Sequence, residues 1–299
     1  MDNILSLLIW VPILSGLVLL FFDKKSYLID VYNIIINGVV FSLSVFLLLN
    51  FDTRSSDFQF VEILKWIPSL NINYYLGVDG ISTLLILLNT IIFLIVAFYN
   101  STLNLKKRNQ YYASFLIASG LTIGVFSALD AMLFYIFFEA LLIPMFIIIG
   151  VWGGPNRIYA AIKFFIYTFL GSVLLLISFL YINSSISSFS VLSFYEASFS
   201  LLEQKWLFVA MAIAFAIKIP MFPFHTWLPD AHVQAPTSGS VILAAILLKV
   251  GAYGFIRFVI PVVPLGASAL DIYFIVLSII AIVYVGMIAI AQNDMKKLI

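Results

Sequence analysis

Three ionisable side chains sit in almost wholly apolar surroundings: Glu139 in Phe137-Phe138-Glu139-Ala140-Leu141, Lys218 in Ala216-Ile217-Lys218-Ile219, and Lys249 in Leu247-Leu248-Lys249-Val250. An ionised group at the centre of a membrane helix costs about 2.5–3.5 kcal/mol on insertion scales, so acids and bases normally stay in loops. Burial favours the neutral form of an amine or a carboxyl, and a nearby opposite charge restores the charged form. At about 7 Å and an effective dielectric near 20, such a pair interacts by roughly 2.4 kcal/mol. A carboxylate that moves a few ångströms can therefore switch a lysine between holding and releasing a proton. That chemistry makes Glu139 and Lys218 a switching pair and Lys249 the acceptor of the proton. The plainer alternatives are a static Glu139–Lys218 ion pair that fixes helix packing and a Lys249 that serves a backbone carbonyl.

Directly after Lys218 come Pro220 and Pro223. Each proline lacks an N–H and clashes with the carbonyl four residues back, which frees those of Ala216 and Ile219 and predicts a broken helix. Such a break at membrane depth is tolerated where it is buried in protein or lines a water-filled cavity. The polar run from His225 to Ser240 follows and reads as a proton entrance containing Asp230. Histidine titrates near neutral pH, so His225 and His232 are relay candidates, with capping of the turn as the equal alternative. Lys163 lies five residues into its helix from the basic side. It either snorkels to the interface or contacts the entrance. Pro144 frees the carbonyl of Ala140 beside Glu139, which predicts a local kink.

The elements that must position these groups are membrane helices. Hydrophobic residues make up 64% of the 299 and charged residues only 10%, against about 25% charged in a soluble domain. A water-facing surface cannot be built from so few charges. Mean hydropathy is +1.15. With no cysteine and two histidines, no disulfide, iron–sulfur ligand set or multi-histidine metal site is expected. A net charge of +1 gives no argument for nucleic acid, and no nucleotide-binding motif is present. The run Ile4 to Phe22 has no basic stretch before it and reads as a retained helix, not a cleaved signal.

A bilayer core needs roughly 20 apolar residues per helix. That ruler places nine spans at 3–22, 29–50, 78–100, 110–128, 131–151, 158–182, 205–222, 239–260 and 271–292, the seventh discontinuous. The expected fold is an all-α polytopic bundle, with surface loops at 51–77 and at the Ser-rich 183–204. Asp79 and Asp130 begin helices and complement their dipoles. Trp66, Trp152, Trp206 and Trp227 read as interfacial belt residues. Lys24, Lys25, Lys106, Lys107, Arg108, Arg157, Lys296 and Lys297 fall on one side; Arg54, Lys65, Lys205 and Arg257, diluted by Asp52, Asp57, Glu62, Glu196 and Glu203, fall on the other. The basic side is cytoplasmic by the positive-inside rule, which puts the N-terminus in the periplasm of a bacterial inner membrane, equivalent to the mitochondrial inner membrane. At 1.5 Å per residue, Glu139 lies roughly 13 Å and Lys218 roughly 20 Å from the outer edge, and Lys249 near the midplane. One central slab holds all three.

The segments Phe138 to Met145, Ala216 to Met221, Trp227 to Val241 and on to Leu248-Lys249, together with Ala291 to Ile299, resemble the antiporter-like subunits of NADH:quinone oxidoreductase, respiratory complex I. Within that group they are most similar to the chain M, or subunit 4, type, over nearly the whole chain. The resemblance implies that Glu139 and Lys218 are the coupling pair and Lys249 the central proton-carrying lysine. It also implies two inverted five-helix repeats. Here 1–109 would be a three-helix N-terminal region, 110–260 the first repeat, and 261–299 a ninth helix with the start of the second. Family members continue through that second repeat, so the expectation is a fragment, with a truncated product that cannot complete a proton path by itself as the alternative. NADH, FMN, iron–sulfur clusters and quinone would be bound by other subunits, this chain holding no cofactor. Its partners would be the neighbouring membrane subunits, further antiporter-like chains among them, and the lipid bilayer. A subunit of a multi-subunit sodium/proton antiporter is the nearest rival, since its D-type chains share the Glu, the Lys-Ile-Pro break and the Pro-Asp-Ala segment. A solute permease would need more polar groups at mid-depth.

Overall fold

The computed structural model describes residues 3–21, 28–292 and 294–298. The expectations placed on Lys24 and Lys25, and on the side chain of Lys297, lie outside what is described. The chain divides into two compact units, residues 1–148 and 149–299.

The first unit contains α1 (Ile4–Leu19), α2 (Leu28–Leu49), a two-stranded antiparallel sheet of β1 (Gln59–Ile67) and β2 (Ile72–Val78), then α3 (Gly80–Ser101), α4 (Arg108–Ser127), α5 (Ala131–Ala140) and the start of α6 (Leu142–Trp152). Helix α1 lies close along α4. A Cβ added at Gly120 would stand 2.4 Å from the Ile9 carbonyl oxygen, and only glycine permits that approach. Helix α2 packs on α3, where Ser44 and Thr90 hydroxyls meet at 2.6 Å in a buried contact. At the opposite end of these helices from the hairpin, Arg108 pairs with Asp30 at 2.7 Å, and Tyr112 donates to the same carboxylate at 2.7 Å.

The hairpin corrects the expectation of a purely helical chain with a loop over 51–77. The alternation Gln59-Phe60-Val61-Glu62-Ile63 and the β-branched and aromatic content of 72–78 favour strands. Asn71 turns the chain with φ of 56°, in the left-handed region that asparagine tolerates. The hairpin is also tied to the helices. Glu62 accepts from Leu5 N at 2.8 Å and Ser6 N at 3.2 Å, and from the Ser6 hydroxyl. Asp130 accepts from Asn73 N at 3.0 Å as well as from Met132 N and Leu133 N of its own helix, at 3.0 and 3.1 Å. Burial lifts the Asp130 carboxyl to about 6, against the pull of those three amides. Asp79 caps α3 through Ser82 N at 2.9 Å. Both aspartates thus begin helices as the sequence predicts, and two carboxylates anchor β-strand to helix ends.

The second unit contains the end of α6, α7 (Arg157–Ile186), α8 (Val191–Glu196), α9 (Leu201–Lys218), α10 (Trp227–Gln234), the long Lys249 helix (Thr237–Val262), the terminal long helix (Pro264–Ile290) and the short helix Met295–Leu298. Helix α9 packs against α7, the Lys249 helix and the terminal long helix. The Ser-rich stretch is not all loop: it closes α7 at Ser187 and forms α8. Helix α9 starts earlier than the apolar run, at a capping box of Ser200 and Glu203. The terminal long helix starts at Pro264, ahead of the expected 271, because proline is preorganised for a first helical position. Gln204 accepts from Leu265 N and Gly266 N at 3.0 and 3.2 Å and so fastens that start to α9.

Among the described residues, six helices are long and apolar enough to cross a membrane: Leu28–Leu49, Gly80–Ser101, Ala131–Trp152, Arg157–Ile186, Thr237–Val262 and Pro264–Ile290. Helix α1 is apolar but shorter.

The carboxylate of Glu62 neutralises the free amides of the first turn of α1. Glu62→Ala leaves those amides buried without it, at a loss of about 1–3 kcal/mol. The expected outcome is a lower Tm for the purified protein in detergent, while Val61→Ala, on an exposed position of the same strand, leaves Tm within a degree or so of wild type.

Candidate functional site

The sequence places a helix break at Pro220, and α9 ends at Lys218 with the next turn beginning at Phe224. The backbone adapts in a definite way. The Ala216 carbonyl cannot be served by Pro220, and Met221 N reaches back to it at 2.8 Å. That takes Met221 N away from Ile217, its ordinary partner. The Trp227 indole then donates to the Ile217 carbonyl at 2.8 Å. Trp227 is 0% exposed, so its expected place among the belt residues is corrected: its N–H is needed inside, at a carbonyl the proline displaced. Trp66 and Trp206, by contrast, are exposed. The Phe222–Pro223 peptide is cis.

Lys218 is 1% exposed at the last position of α9. Its ammonium stands 5.7 Å from the centroid of the Phe164 ring, within cation–π range. Phe164 in turn packs on Trp227, centroids 5.4 Å apart. Helix α7 therefore supplies an aromatic wall to the Lys218 amine. On another side Gly251 admits the Lys249 helix, since a Cβ there would lie 2.9 Å from Ile219 Cγ1 and 3.0 Å from Lys218 Cβ.

Lys249 lies midway along Thr237–Val262. The expectation of burial does not hold for it: on the described chain its side chain is exposed, on a face that no described element covers. Its Nζ donates to the Ala244 carbonyl at 2.9 Å. The preceding turn, Leu243–Leu247, is a π-helix. A π-helical turn of this kind is a local departure from regular α-helix, often found at functional sites.

The entrance candidates fall in the same unit as Lys218. Lys163 and Asp230 form an ion pair at 2.7 Å, joining α7 to α10. The ring of His225 stacks on Phe222 at 5.8 Å and meets the edge of Tyr284 at 6.0 Å. Its Nδ1 is buried with no hydrogen-bond partner among the described residues. The His232 side chain is half-buried, and its carbonyl accepts from the Ser240 hydroxyl at 2.9 Å. Glu139 belongs to the first unit. It is half-buried, two residues before the helix is interrupted at Leu141, where Pro144 cannot serve Ala140.

Sequence reasoning missed Phe164, Gly251 and Gln234. Gln234 receives Gly154 N on its carbonyl at 2.8 Å and Asn156 N on its side-chain oxygen at 3.0 Å, closing the 153–156 turn onto the end of α10. Nothing in the local pattern marks these three, because each acts on a segment distant in sequence. No group of three or more His, Cys, Asp or Glu that could hold a metal ion occurs among the described residues.

A chain of long apolar helices that keeps a lysine 1% exposed at a helix break is a membrane-embedded protein with the ingredients of an ion site. Residues 128–299 match the family "NADH:quinone oxidoreductase/Mrp antiporter, TM", and the chain belongs to that family. It is similar to the NADH-quinone oxidoreductase subunit M of Rickettsia prowazekii, 47% identical over 303 residues, covering 99% of this chain and 62% of that protein. It is similar in structure to a chain of respiratory complex I from Thermus thermophilus, with a TM-score of 0.86 and 27% identity, covering 98% of this chain and 61% of that one. A chain of the Mrp complex from Dietzia shares the fold, with a TM-score of 0.84 and 21% identity over 98% of this chain and 32% of that one. The chain thus spans about three-fifths of the curated relatives it matches.

Gly251→Val places methyl groups against Ile219 and the Lys218 stem. Overpacking of this kind costs about 1–3 kcal/mol. The expected result is a lowered Tm together with loss of whatever activity depends on Lys218, whereas Gly38→Ala, where nothing lies within 4 Å, leaves both unchanged.

Proposed function

We propose that this chain is the proton-translocating membrane part of an NADH:quinone oxidoreductase, moving protons in response to electron transfer carried out elsewhere in the complex. The observation that carries the reading is the buried amine of Lys218 at the end of α9. Burial disfavours the charged form of an amine and a nearby carboxylate restores it, so moving a carboxylate is a means of switching such a lysine. Glu139 is the acidic member of the coupling pair, beside its own helix interruption. Lys249 takes the proton onward, its amine positioned by the Ala244 carbonyl. Lys163, Asp230, His225 and His232 form the entrance side, with the Lys163–Asp230 pair as its charged mouth. Pro220 and Pro223 keep the seventh span discontinuous, α9 and α10 being its two halves.

In the same reading the chain has nine spans. Residues 110–260 are the first of two inverted five-helix repeats, after a three-helix region at 1–109, and 261–299 lead into the second. The N-terminus is periplasmic in a bacterial inner membrane, supported by Lys106, Lys107, Arg108 and Arg157 on the cytoplasmic side. Redox cofactors and quinone belong to other subunits, with which this chain assembles. The sodium/proton antiporter reading has less support: the relative at 47% identity is a subunit M, against 21% for the Mrp chain.

Alanine at Glu139, Lys218 or Lys249 in the full-length protein is expected to abolish or strongly reduce proton pumping in membrane vesicles, measured beside NADH oxidation. Pumping retained at the wild-type ratio in all three variants would end the assignment. Co-purification of flavin and iron–sulfur subunits distinguishes the respiratory reading from the antiporter one.

A further inference from the structure

A cleft in the first unit, about 630 Å³, takes no part in the proposed proton path. It opens beside the hairpin and runs down between α1 and α5. Its upper rim carries Lys65, Trp66 and Tyr74, and its lower wall Ile13, Ile136 and Ala140. The polar groups are gathered at the top. The Tyr74 hydroxyl accepts from the Trp10 indole at 3.1 Å and shares a hydrogen bond with the Ser6 hydroxyl at 2.9 Å. Below them the lining is aliphatic and aromatic.

Its length is informative. On α5 the lining runs from Leu133 to Ala140 and on α1 from Ser6 to Ile13, about 10 Å along each helix, with the hairpin rim of Lys65 and Trp66 beyond that. Half of a hydrocarbon core is about 15 Å, so the cleft with its rim has the length of one acyl chain's leaflet. Its charge fits as well. The neighbouring acid, Glu62, is already engaged by two α1 amides and Ser6. Lys65 is exposed and forms no ion pair among the described residues. Tryptophans at the rim match the interfacial preference of that side chain.

We propose that this cleft holds one acyl chain of an anionic phospholipid from the leaflet beside the hairpin, with Lys65 taking the phosphate. The lipid acts as a wedge between α1 and α5, ending next to the residue that follows Glu139. The inference requires membrane embedding only and stands apart from the proton reading.

The test uses the full-length protein in nanodiscs containing phosphatidylglycerol with a photoreactive diazirine at the end of one acyl chain, or the phosphatidylcholine equivalent. Illumination is expected to label peptides from 131–140 in preference to the other apolar helices taken together, whose average labelling reports bulk lipid. Phosphatidylglycerol should label better than phosphatidylcholine by about fivefold, the effect of one lysine near an anionic headgroup. Ile136→Trp fills the cleft and should abolish the preferred labelling while the average labelling of the other apolar helices persists. Lys65→Glu, on an exposed strand position, should remove the preference for phosphatidylglycerol without altering the fold. Even labelling of all helices, equal labelling by the two lipids, an unchanged preference in Lys65→Glu, or crosslinks from the cleft to another polypeptide would each overturn the proposal.

Discussion

A carbonyl that loses its amide at membrane depth has no water to turn to, and this constraint shapes the second unit. Pro220 removes one donor, Met221 compensates by shifting its own bond to Ala216, and the indole of Trp227 takes over Ile217. Each step forces the next. Helix α10 packs on α7, so the indole that reaches Ile217 also lies against Phe164, and Phe164 against the Lys218 amine. The break thus dictates which side chains surround the lysine. On the Lys249 helix, a lysine side chain donates to the carbonyl of Ala244 in the π-helical turn before it.

Carboxylates play the corresponding part in the first unit. Glu62 and Asp130 both satisfy helix amides and both join the hairpin to a helix end. A helix N-terminus carries a partial positive charge, so a carboxylate supplied from a strand meets hydrogen-bonding and electrostatic demands together. The outcome is a hairpin lying across one end of the helices, with an apolar cleft beneath it.

Family membership and the buried lysine point to one kind of chemistry, yet they bear on it differently. Membership rests on residues spread along 128–299. The buried amine rests on packing around a single atom. Lys249 separates the two, because it occupies the middle of its helix as the sequence predicts and is nevertheless exposed on the described chain. Depth follows from position along a helix, whereas burial needs a neighbour on that face.

From the sequence alone came the membrane class, the positions of the long apolar helices, the aspartate starts at Asp79 and Asp130, the break at Pro220 and Pro223, and the identity of the ionisable candidates. These depend on local quantities: run length, hydropathy, and the missing amide of proline. Tertiary structure decided the rest. It turned 59–78 into a hairpin tied to α1 and α5, put Trp227 inside instead of at an interface, paired Lys163 with Asp230, and brought Phe164 and Gly251 to Lys218. None of those could be read from a window of sequence. Each joins segments far apart in the chain, and the energy that selects them belongs to the contact and to neither segment separately.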